Sequence, residues 1–505
     1  MGNLKDTSVL VLGLGTSGLA MARWCVRQGA SVTVADTREA PPQMAVLRTD
    51  LPSVKFVHGE FSENLLQGTE IRAVFKSPGL APQQVAPVID AAKASGLWVS
   101  GELGLFSQGL QSLKEAQAYA PQVLAITGTN GKTTVTSLTG QLVERAGKSV
   151  AVAGNIGPTL LDTLAAHMDA ESLPQVWVLE LSSFQLDEVD NFMPSMGTVL
   201  NLSQDHLDWH GSMPAYSAAK ARIFGSHSPE AAPMLLNRDD AAVMAMVPAL
   251  IKGKPQRSYV TFGTDMPTRP SDWGLESVNG MTWLVKAMEA DETRRRRKDD
   301  AQEIHIQRLM PADALRIRGR HNAANALAAL ALASAAGCAL APMLYGLREY
   351  RGEPHRVESI GTVRDVEYFD DSKGTNVGAT VAALTGLGAE RKLVIILGGQ
   401  GKGQDFTPLA APVARYARAV VLIGEDAPAI AKALDNCGVD CVSAADMQEA
   451  VTLAAARAQA GDAVLMSPAC ASFDMFKNYE HRAQVFCAAV NALAIDAQVY
   501  LVEGA

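Results

Sequence analysis

The sequence predicts an α/β protein of three domains built on mostly parallel sheets. Short apolar runs rich in β-branched residues, such as SVLVLGLG, VLAITGTNG and KLVIILGG, alternate with longer helix-like segments along the whole chain. This alternation is typical of parallel sheets with helices on both faces. The runs form three clusters, and 505 residues are too many for one hydrophobic core. We therefore expect three domains, with functional sites at their junctions.

The clusters place the domain boundaries at two points in the chain. The predicted domains are residues 1–110, 111–352 and 353–505. Gly352 and Pro354 punctuate the second boundary as a linker would. The Ala-rich run Ala323–Pro342 contains Asn325 and follows the charged RIRGRHN, so we expect a buried helix there and no membrane span.

One internal segment differs from the α/β pattern. Residues Glu289–Glu303 are dense in both charge signs and have no apolar periodicity. This composition predicts a solvated loop or a disordered insertion, with nucleic-acid contact as a minor alternative.

Charge and cysteine content limit the partners and the compartment. The chain has 44 Lys and Arg against 53 Asp and Glu, which gives a formal net charge of -9. It lacks the basic excess that long nucleic acids require, so we expect no nucleic-acid partner. Six scattered cysteines without paired metal-type spacing favour a reduced compartment. An apolar strand begins almost at the N-terminus and no signal-peptide core is found, so we expect a cytoplasmic protein without membrane insertion.

The strongest chemical signal is a glycine-rich loop between a predicted strand and a predicted helix. It consists of Gly128, Thr129, Asn130, Gly131, Lys132, Thr133 and Thr134. Glycines let backbone N–H groups face phosphate oxygens, Lys132 supplies positive charge, and the Thr133 hydroxyl can bind Mg²⁺. Ile126 stands where the strict P-loop pattern has its first glycine. The strand-loop-helix context nevertheless predicts a phosphate site rather than an ordinary turn.

A second glycine motif follows the first predicted strand. Gly13, Gly15 and Gly18 have the spacing of the dinucleotide fingerprint, and Asp36 ends the next strand. The motif requires only a backbone that approaches a diphosphate closely, so a UDP-sugar satisfies it as readily as NAD. A purely structural tight turn is the alternative.

Polar residues follow several other predicted strands. Glu180 could bind Mg²⁺ beside the phosphate loop, or it could be a helix cap. His206 follows another strand, where a solvent-exposed side chain is equally consistent with the pattern. Lys220 lies in a predicted helix, where lysine is normally a surface residue. In the third domain, Arg356, the DDSKGTN segment and GGQGK follow strands in the same way and suit anionic ligands.

Taken together, these motifs resemble those of the Mur ligase family. GTNGKTT, GNIG, ELSSFQL, NLSQDHLDWHGS, GRHNAANALAA, EPHRVE, DDSKGTN, LGGQGKGQDF and SPACASFDMFKNYEHR occur over nearly the whole chain. The resemblance implies a Rossmann-like UDP-binding N-terminal domain, a central P-loop-type ATPase domain, and a mobile Rossmann-like C-terminal domain. It also implies an ATP-dependent amide ligase of peptidoglycan precursor synthesis that forms an acyl phosphate. The two ends are most similar to the branch that adds D-glutamate to UDP-N-acetylmuramoyl-L-alanine.

The resemblance implies a role for residues that match family motifs. The ATP positions would be the loop residues Gly128 to Thr134 with Asn325, Arg356 and Asp371. Two Mg²⁺ ions would be held by Thr133, Glu180, His206 and Lys220, a lysine that is carbamylated in the family. The UDP-substrate positions would be Thr16, Ser17, Asp36, Thr37, Arg38, Gly79 and Asn155. D-Glutamate would contact Lys373, Thr375, Lys402, Ser472, Phe473 and Tyr479, and the catalytic residues would be Lys132, His206 and Lys220.

Other interpretations remain open from the sequence. The charged run at Arg294–Arg297 departs from the family pattern, as does Ala483 in place of the usual glycine. A nicotinamide-dependent oxidoreductase would explain GLGTSG but would leave GTNGKTT without a use. A nucleotide-binding regulatory or scaffold protein would explain the loop without amide chemistry. Another Mur ligase or a folylpolyglutamate synthase is the nearest enzymatic alternative, and we expect a monomer.

Overall fold

The computed structural model describes residues 4–187, 189, 191–225, 232–251, 255–290, 303–389 and 391–499. It contains three sheets that are mostly parallel, which confirms the predicted α/β class. The chain divides into two compact units. The first holds the described residues of Met1–Leu202, His206–Phe262 and Ala328–Met343, and the second holds those of Ser203–Asp205, Gly263–Leu327 and Leu344–Ala505.

The first sheet has five parallel strands, all in the first unit. They are β1 (Ser8–Leu12), β2 (Ser31–Asp36), β3 (Lys55–His58), β4 (Ile71–Lys76) and β5 (Trp98–Ser100). Their helices are α1 (Thr16–Arg27), α2 (Met44–Asp50), α3 (Pro82–Ala94) and α4 (Glu102–Gln117). The order β3-β2-β1-β4-β5 is that of a Rossmann-type sheet without its sixth strand, so the ends of β1, β2 and β4 meet at one edge.

Six further parallel strands of the first unit lie in the order β11-β10-β9-β6-β8-β7. They are β6 (Gln122–Thr127), β7 (Val150–Gly154), β8 (Val176–Glu180), β9 (Met196–Val199), β10 (Met234–Asn237) and β11 (Tyr259–Phe262). The helices are α5 (Lys132–Arg145), α6 (Leu160–Asp169), α7 (Ser183–Leu186), α8 (Leu207–His210), α9 (Met213–Ala221) and α10 (Ala241–Met244). The phosphate loop follows β6, which lies between β8 and β9.

The second unit begins with three antiparallel strands. They are β12 (Trp273–Val278), β13 (Met281–Glu289) and β14 (Ile304–Pro311). Most of the predicted charged insertion, including Arg294–Arg297, lies outside the described residues; its ends Glu289 and Glu303 are described.

The remaining sheet has the order β15-β16-β20-β17-β18-β19 and is parallel except for β15. Its strands are β15 (Glu358–Val363), β16 (Val366–Asp370), β17 (Leu393–Gly398), β18 (Ala417–Ile423), β19 (Asp440–Ser443) and β20 (Ala463–Met466). After α11 (Arg320–Ala335) and α12 (Leu340–Glu349), its helices are α13 (Val377–Gly388), α14 (Ala410–Tyr416), α15 (Ala427–Leu434), α16 (Met447–Arg457) and α17 (Tyr479–Asp496).

The Ala-rich run forms the expected buried helix over most of its length, since residues 326–333 are at most 5% exposed. Helix α11 ends at Ala335, and α12 begins at Leu340. Between them Gly337 has a φ of 73°, a left-handed conformation that favours glycine and ends a helix. Among the residues that the structure describes, no helix is both long and apolar enough to cross a membrane.

Most positions of the central parallel strands are apolar because both faces of their sheets are covered. In β1, Val9 and Val11 belong to one buried cluster, whereas Leu10 and Leu12 belong to another on the opposite face. Successive side chains of a strand point to opposite faces, so a sheet covered on both sides requires apolar residues at every position. This burial fixes the strand ends, where the polar residues lie.

Candidate active site

The predicted phosphate loop turns sharply between β6 and α5. Gly131 has a φ of 81° and is the cap residue before Lys132, the first residue of α5. A Cβ atom on Gly128 would lie 3.0 Å from the Cβ of Leu200, so this position is also tight. Asn201 fixes the loop from the neighbouring strand end, since its Oδ1 accepts a 2.8 Å hydrogen bond from the N–H of Asn130. Residues that follow β9 therefore help to fix the shape of the loop.

Lys132 places a positive charge at this loop. Its Nζ donates hydrogen bonds to the carbonyl oxygens of Gly128, at 2.9 Å, and Thr129, at 2.8 Å. Thr133 and Thr134 follow in the first turn of α5. A helix N-terminus and an ammonium group both favour an anion, so the geometry suits a phosphate group.

Lys220 is buried, contrary to the expectation for a helical lysine. Only 2% of it is exposed, and its Nζ donates to Gly128 O at 2.9 Å and to Thr127 Oγ1 at 3.2 Å. The Nζ also lies 4.7 Å from the ring centroid of Tyr216, whose hydroxyl is 3.1 Å from Thr129 Oγ1. Helix α9 thus carries the Lys220 side chain to the end of β6 and the start of the phosphate loop.

Glu180 ends β8 beside the same strand. It is 1% exposed and pairs in register with Ile126 of β6. Its Oε1 accepts a 2.7 Å hydrogen bond from Asn155 Nδ2, whereas its buried Oε2 has no hydrogen-bond partner among the described residues. A buried carboxylate oxygen without a donor is costly unless a cation or a proton accompanies it. The second oxygen therefore fits a metal ligand better than the alternative of a helix cap.

His206 lies in an aromatic cluster near these strand ends. Its ring centroid is 4.7 Å from that of Phe184, which is also 4.7 Å from that of Trp209. His210, one turn later, has its Nε2 2.9 Å from Ser183 Oγ. Burial, with smaller electrostatic effects of His206 and Lys220, lowers the pKa of His210 to about 4. His210 is consequently neutral at neutral pH and able to exchange a hydrogen bond with Ser183.

The N-terminal glycine loop is held by Asp36. This residue is 2% exposed, and its Oδ2 accepts a 2.7 Å bond from the N–H of Leu14. The Nε of Arg38 donates to the Oδ1 of Asp36 at 2.8 Å. Burial alone would raise the pKa of Asp36, but the hydrogen bonds from Arg38 and Leu14 lower it to about 2. Asp36 thus shapes the loop and orients Arg38, whose side chain is 51% exposed.

Gly18 explains the third glycine of this motif. A Cβ atom there would lie 2.0 Å from the carbonyl oxygen of Gly13, which accepts a 3.1 Å bond from Ser77 Oγ.

The other predicted UDP positions lie at the same sheet edge. Thr16 and Ser17 begin α1, Thr37 follows β2, and Gly79 follows β4. Asn155 follows β7, and the structure brings it to Glu180.

Two residues of the first unit were missed by the sequence analysis. Lys76 ends β4, is 6% exposed, and has its Nζ 5.1 Å above the ring of Trp209. Glu102 follows β5 and is 3% exposed. Both line a cavity with Pro78, Ser100, Gly101, Phe184, Gln185 and Asp187. Lys76 is the last residue of β4, and Glu102 comes two residues after the short strand β5. This position at a strand end is the signal that could have identified them.

In the second unit, the DDSKGTN segment follows β16. Asp371 is 6% exposed, and its Oδ2 accepts a 2.6 Å bond from Ser467 Oγ. Burial raises the pKa of Asp371 to about 7, against the lowering effects of Ser467 and Arg356. A Cβ atom on Gly374 would lie 2.5 Å from Asp371 Oδ2, so the segment folds closely over this carboxyl group. Asn325, in α11, donates to Asn322 Oδ1 at 3.0 Å.

A histidine missed by the sequence analysis supports this segment. His355 Nδ1 lies 2.7 Å from the Oδ2 of Asp370, a carboxylate with no exposed surface. The Oδ1 of Asp370 accepts from the N–H of Ser372 at 3.0 Å and from its hydroxyl at 2.5 Å. Arg482, also fully buried, donates to the carbonyl oxygen of Ser372 at 2.8 Å. These groups hold the backbone that precedes Lys373.

The predicted D-glutamate residues form two lysine–aromatic pairs. Lys373 Nζ lies 3.7 Å from the ring centroid of Tyr479, and Lys402 Nζ lies 5.7 Å from that of Phe473. Phe473 is 65% exposed, whereas the adjacent Ser472 is 3% exposed. The N–H of Thr375 donates to the carbonyl oxygen of Lys373 at 2.9 Å. Two ammonium groups over aromatic rings suit an anionic ligand.

Comparison with known proteins connects this geometry with one family. Residues 7–101 match the model described as Mur ligase MurD-like, N-terminal domain; residues 126–333 match the Mur ligase middle domain, and residues 355–470 match the Mur ligase, glutamate ligase domain. The chain is 66% identical over 498 residues to a protein of Albidiferax ferrireducens, with 98% of each chain covered. It is 60% identical to a protein of Polaromonas sp., covering 99% of this chain and 100% of that one. Both relatives are named UDP-N-acetylmuramoylalanine--D-glutamate ligase.

Solved structures with low sequence identity show the same fold. MurF ligase of Thermotoga maritima, in complex with ADP, has a TM-score of 0.57 at 15% identity, covering 97% of this chain and 96% of that one. UDP-N-acetylmuramate-alanine ligase of the same organism has a TM-score of 0.52 at 19% identity, covering 96% and 100%.

Proposed function

The chain belongs to the Mur ligase family, and we propose that it joins D-glutamate to UDP-N-acetylmuramoyl-L-alanine, with cleavage of ATP to ADP and phosphate. The product is a peptidoglycan precursor. The choice of D-glutamate rests on the relatives, of which the first is 66% identical over 98% of this chain. The reaction class rests on the geometry of the first unit.

The observation that best supports an ATP-dependent reaction is the buried carboxylate of Glu180 beside the phosphate loop. Its Oε2 lacks a hydrogen-bond partner among the described residues, and its strand is paired directly with the strand that leads to Lys132. A phosphate cradle next to a buried acidic group is the arrangement that phosphoryl transfer from a nucleotide triphosphate requires. Residues Gly128 to Thr134 would bind the ATP phosphates, and Asn325, Arg356 and Asp371 would bind the rest of the nucleotide.

Two Mg²⁺ ions are proposed to accompany ATP. Thr133 and Glu180 would hold one ion, and His206 with Lys220 would help to hold the second. Lys220 would need to be carbamylated, because an ammonium group repels a cation whereas a carbamate binds it. Glu180 is buried, whereas Thr133 is half-buried and His206 is exposed. A carboxylate, a hydroxyl and an imidazole are donors that fit such ions, which would neutralise the charge of the phosphates.

The reaction requires two anions, the alanyl carboxylate of the substrate and the γ-phosphate of ATP, to approach each other. Arg38, Thr16, Ser17, Thr37 and Gly79 would bind the UDP portion, and Asn155 would contact the muramoyl portion. The alanyl carboxylate attacks the γ-phosphorus of ATP, and ADP leaves. Lys132 lowers the barrier because its charge offsets the repulsion between the carboxylate and the phosphate.

The resulting acyl phosphate is the activated form of the alanyl carboxyl group. The amino group of D-glutamate attacks its carbonyl carbon, and the tetrahedral intermediate expels phosphate to give the amide. Lys373 and Lys402 would hold the carboxylates of D-glutamate, with Thr375, Ser472, Phe473 and Tyr479 around them.

Residues 1–110, 111–352 and 353–505 would serve as the UDP-substrate, ATP and amino-acid domains. We also propose a cytoplasmic monomer.

The proposal is tested by phosphate release from ATP and Mg²⁺ with UDP-N-acetylmuramoyl-L-alanine across a panel of D- and L-amino acids. Release that requires D-glutamate is the expected result. Release that requires a different amino acid would contradict D-glutamate as the substrate, but it would still support an amino-acid ligase. Binding of ATP without any acceptor-dependent release would contradict the enzyme assignment and support a nucleotide-binding protein.

A further inference from the structure

Glu102 is a buried carboxyl group that the proposed reaction does not use. It is the first residue of α4, where an acidic side chain normally remains in water beside the helix N-terminus. Here only 3% of the residue is exposed. Burial of a carboxyl group is costly unless several donors compensate for it, so its partners indicate what it does.

The donors to Glu102 come from the starts of two other helices. Its Oε1 accepts a 3.1 Å hydrogen bond from the N–H of Leu161, in the first turn of α6. The N–H of Leu160 and the hydroxyl of Ser17, in the first turn of α1, also interact with the carboxyl group. One side chain therefore joins the N-termini of α1, α4 and α6.

Two of these helices, α1 and α6, begin next to different parts of the proposed site. Helix α1 begins with Thr16 and Ser17, the proposed UDP positions. Helix α6 begins five residues after Asn155, whose side chain donates a 2.7 Å hydrogen bond to Glu180. A shift of one helix start against the other would separate the nucleotide-sugar from the acidic group beside the phosphate loop. Displacement of reacting groups by about 1 Å can reduce a rate about a hundredfold.

Glu102 also lines a cavity that it shares with Lys76. Oε2 is buried and has no hydrogen-bond partner among the described residues. The cavity lies between the carboxyl end of β4, next to Gly79, and helix α7, which follows Glu180. Glu102 is thus placed along the path between the two parts of the site that its helices carry.

We infer that Glu102 is a positioning residue, which holds the nucleotide-sugar loop in register with the Asn155–Glu180 pair. This inference rests on the proposed function. It assigns Glu102 no contact with the reacting atoms, so its loss should affect the nucleotide-sugar before it affects D-glutamate.

The protonation of Glu102 provides a second signature. Burial raises its pKa to about 7, against hydrogen bonds from Leu161, Ser17 and Leu160 that lower it; Asp162 of α6 raises it further. Lys76 and Asp187 are the other charged groups of the cavity. The ionised carboxylate is the stronger acceptor, so the positioning should improve as the pH rises through about 7.

The test compares Glu102→Gln and Glu102→Ala with wild type and with Glu115→Gln. Glu115 is an exposed residue of the same helix, so its variant removes the same charge without touching the cavity. Both Glu102 variants should raise the KM for UDP-N-acetylmuramoyl-L-alanine, by about tenfold for Ala, and leave the KM for D-glutamate within about twofold. Wild type should show a rise of kcat/KM through about pH 7, and the Gln variant should lose it.

Unchanged KM for the nucleotide-sugar in both variants would overturn the inference. An equal loss of all kinetic parameters together with a lower unfolding temperature would also overturn it, since that result indicates a structural role only. If wild type releases no phosphate with D-glutamate, the proposed function fails by itself. The Glu102 inference is then decided by calorimetry with UDP-N-acetylmuramoyl-L-alanine: weaker binding by both variants supports it, and equal binding or no binding by wild type overturns it.

Discussion

The Nζ atom of Lys220 donates a 2.9 Å hydrogen bond to the carbonyl oxygen of Gly128, the first residue of the phosphate loop. This contact brings a residue of α9 to a loop that precedes it by 92 positions in the chain. It also places a buried amine beside the proposed phosphate-binding loop. The proposed carbamate on Lys220 therefore has a direct experimental consequence.

Replacement of Lys220 by alanine should abolish D-glutamate-dependent phosphate release and leave it partly rescuable by short carboxylic acids. A small carboxylate can occupy the space of the removed side chain and supply the oxygen ligands that a carbamate would supply. Lys220→Arg is the matched control, because a guanidinium group fills the space but forms no carbamate. Absence of rescue in a Lys220→Ala variant that binds Mg²⁺ normally would contradict the carbamate.

Lys132→Ala should reduce phosphate release by at least about a hundredfold, because it removes a charge that stabilises the transition state for phosphoryl transfer. The measurement is acceptor-dependent phosphate release at saturating ATP. Lys114→Ala, at an exposed position of α4, should retain wild-type activity. Near-normal release by Lys132→Ala would contradict the role of the loop.

Glu180→Gln should raise the Mg²⁺ concentration required for half-maximal activity by about tenfold or more. The amide oxygen of glutamine can still accept the hydrogen bond from Asn155, so the substitution removes mainly the negative charge. A titration of activity against Mg²⁺ at fixed ATP measures the effect. An unchanged Mg²⁺ requirement would show that Glu180 does not bind the ion.

His355 should stabilise the second unit in a pH-dependent manner. The hydrogen bond with Asp370 raises the pKa of His355 above its usual value of 6.5, although burial opposes this. A raised pKa means that the stabilisation is fully present below the pKa of the unfolded chain and is lost as the pH rises through the folded-state value. The difference in unfolding temperature between wild type and His355→Gln should therefore be larger at pH 6 than at pH 8.5. His305→Gln, at an exposed position, is the matched control. A difference for His355→Gln that does not vary with pH would exclude the ion pair.

The strands and loops that the sequence predicted could each be recognised from a short run of contiguous residues. The runs that form β1, β6 and β17 are continuously apolar because helices cover both faces of their sheets. Strands β12 and β14 were missed because polar residues interrupt them. The Ala-rich run forms the expected buried helix, α11, and Gly337 lies just beyond its end.

The sequence by itself determined the α/β class, the family, and the phosphate loop from Gly128 to Thr134, because strand, loop and helix are contiguous in the chain. Only the tertiary structure decided that Lys220 is buried against this loop, that Asp36 is engaged by Leu14 and Arg38, and that Glu102 joins three helix starts. The physical reason is that burial and hydrogen-bond partners depend on which elements pack together, and residues far apart in sequence supply those partners.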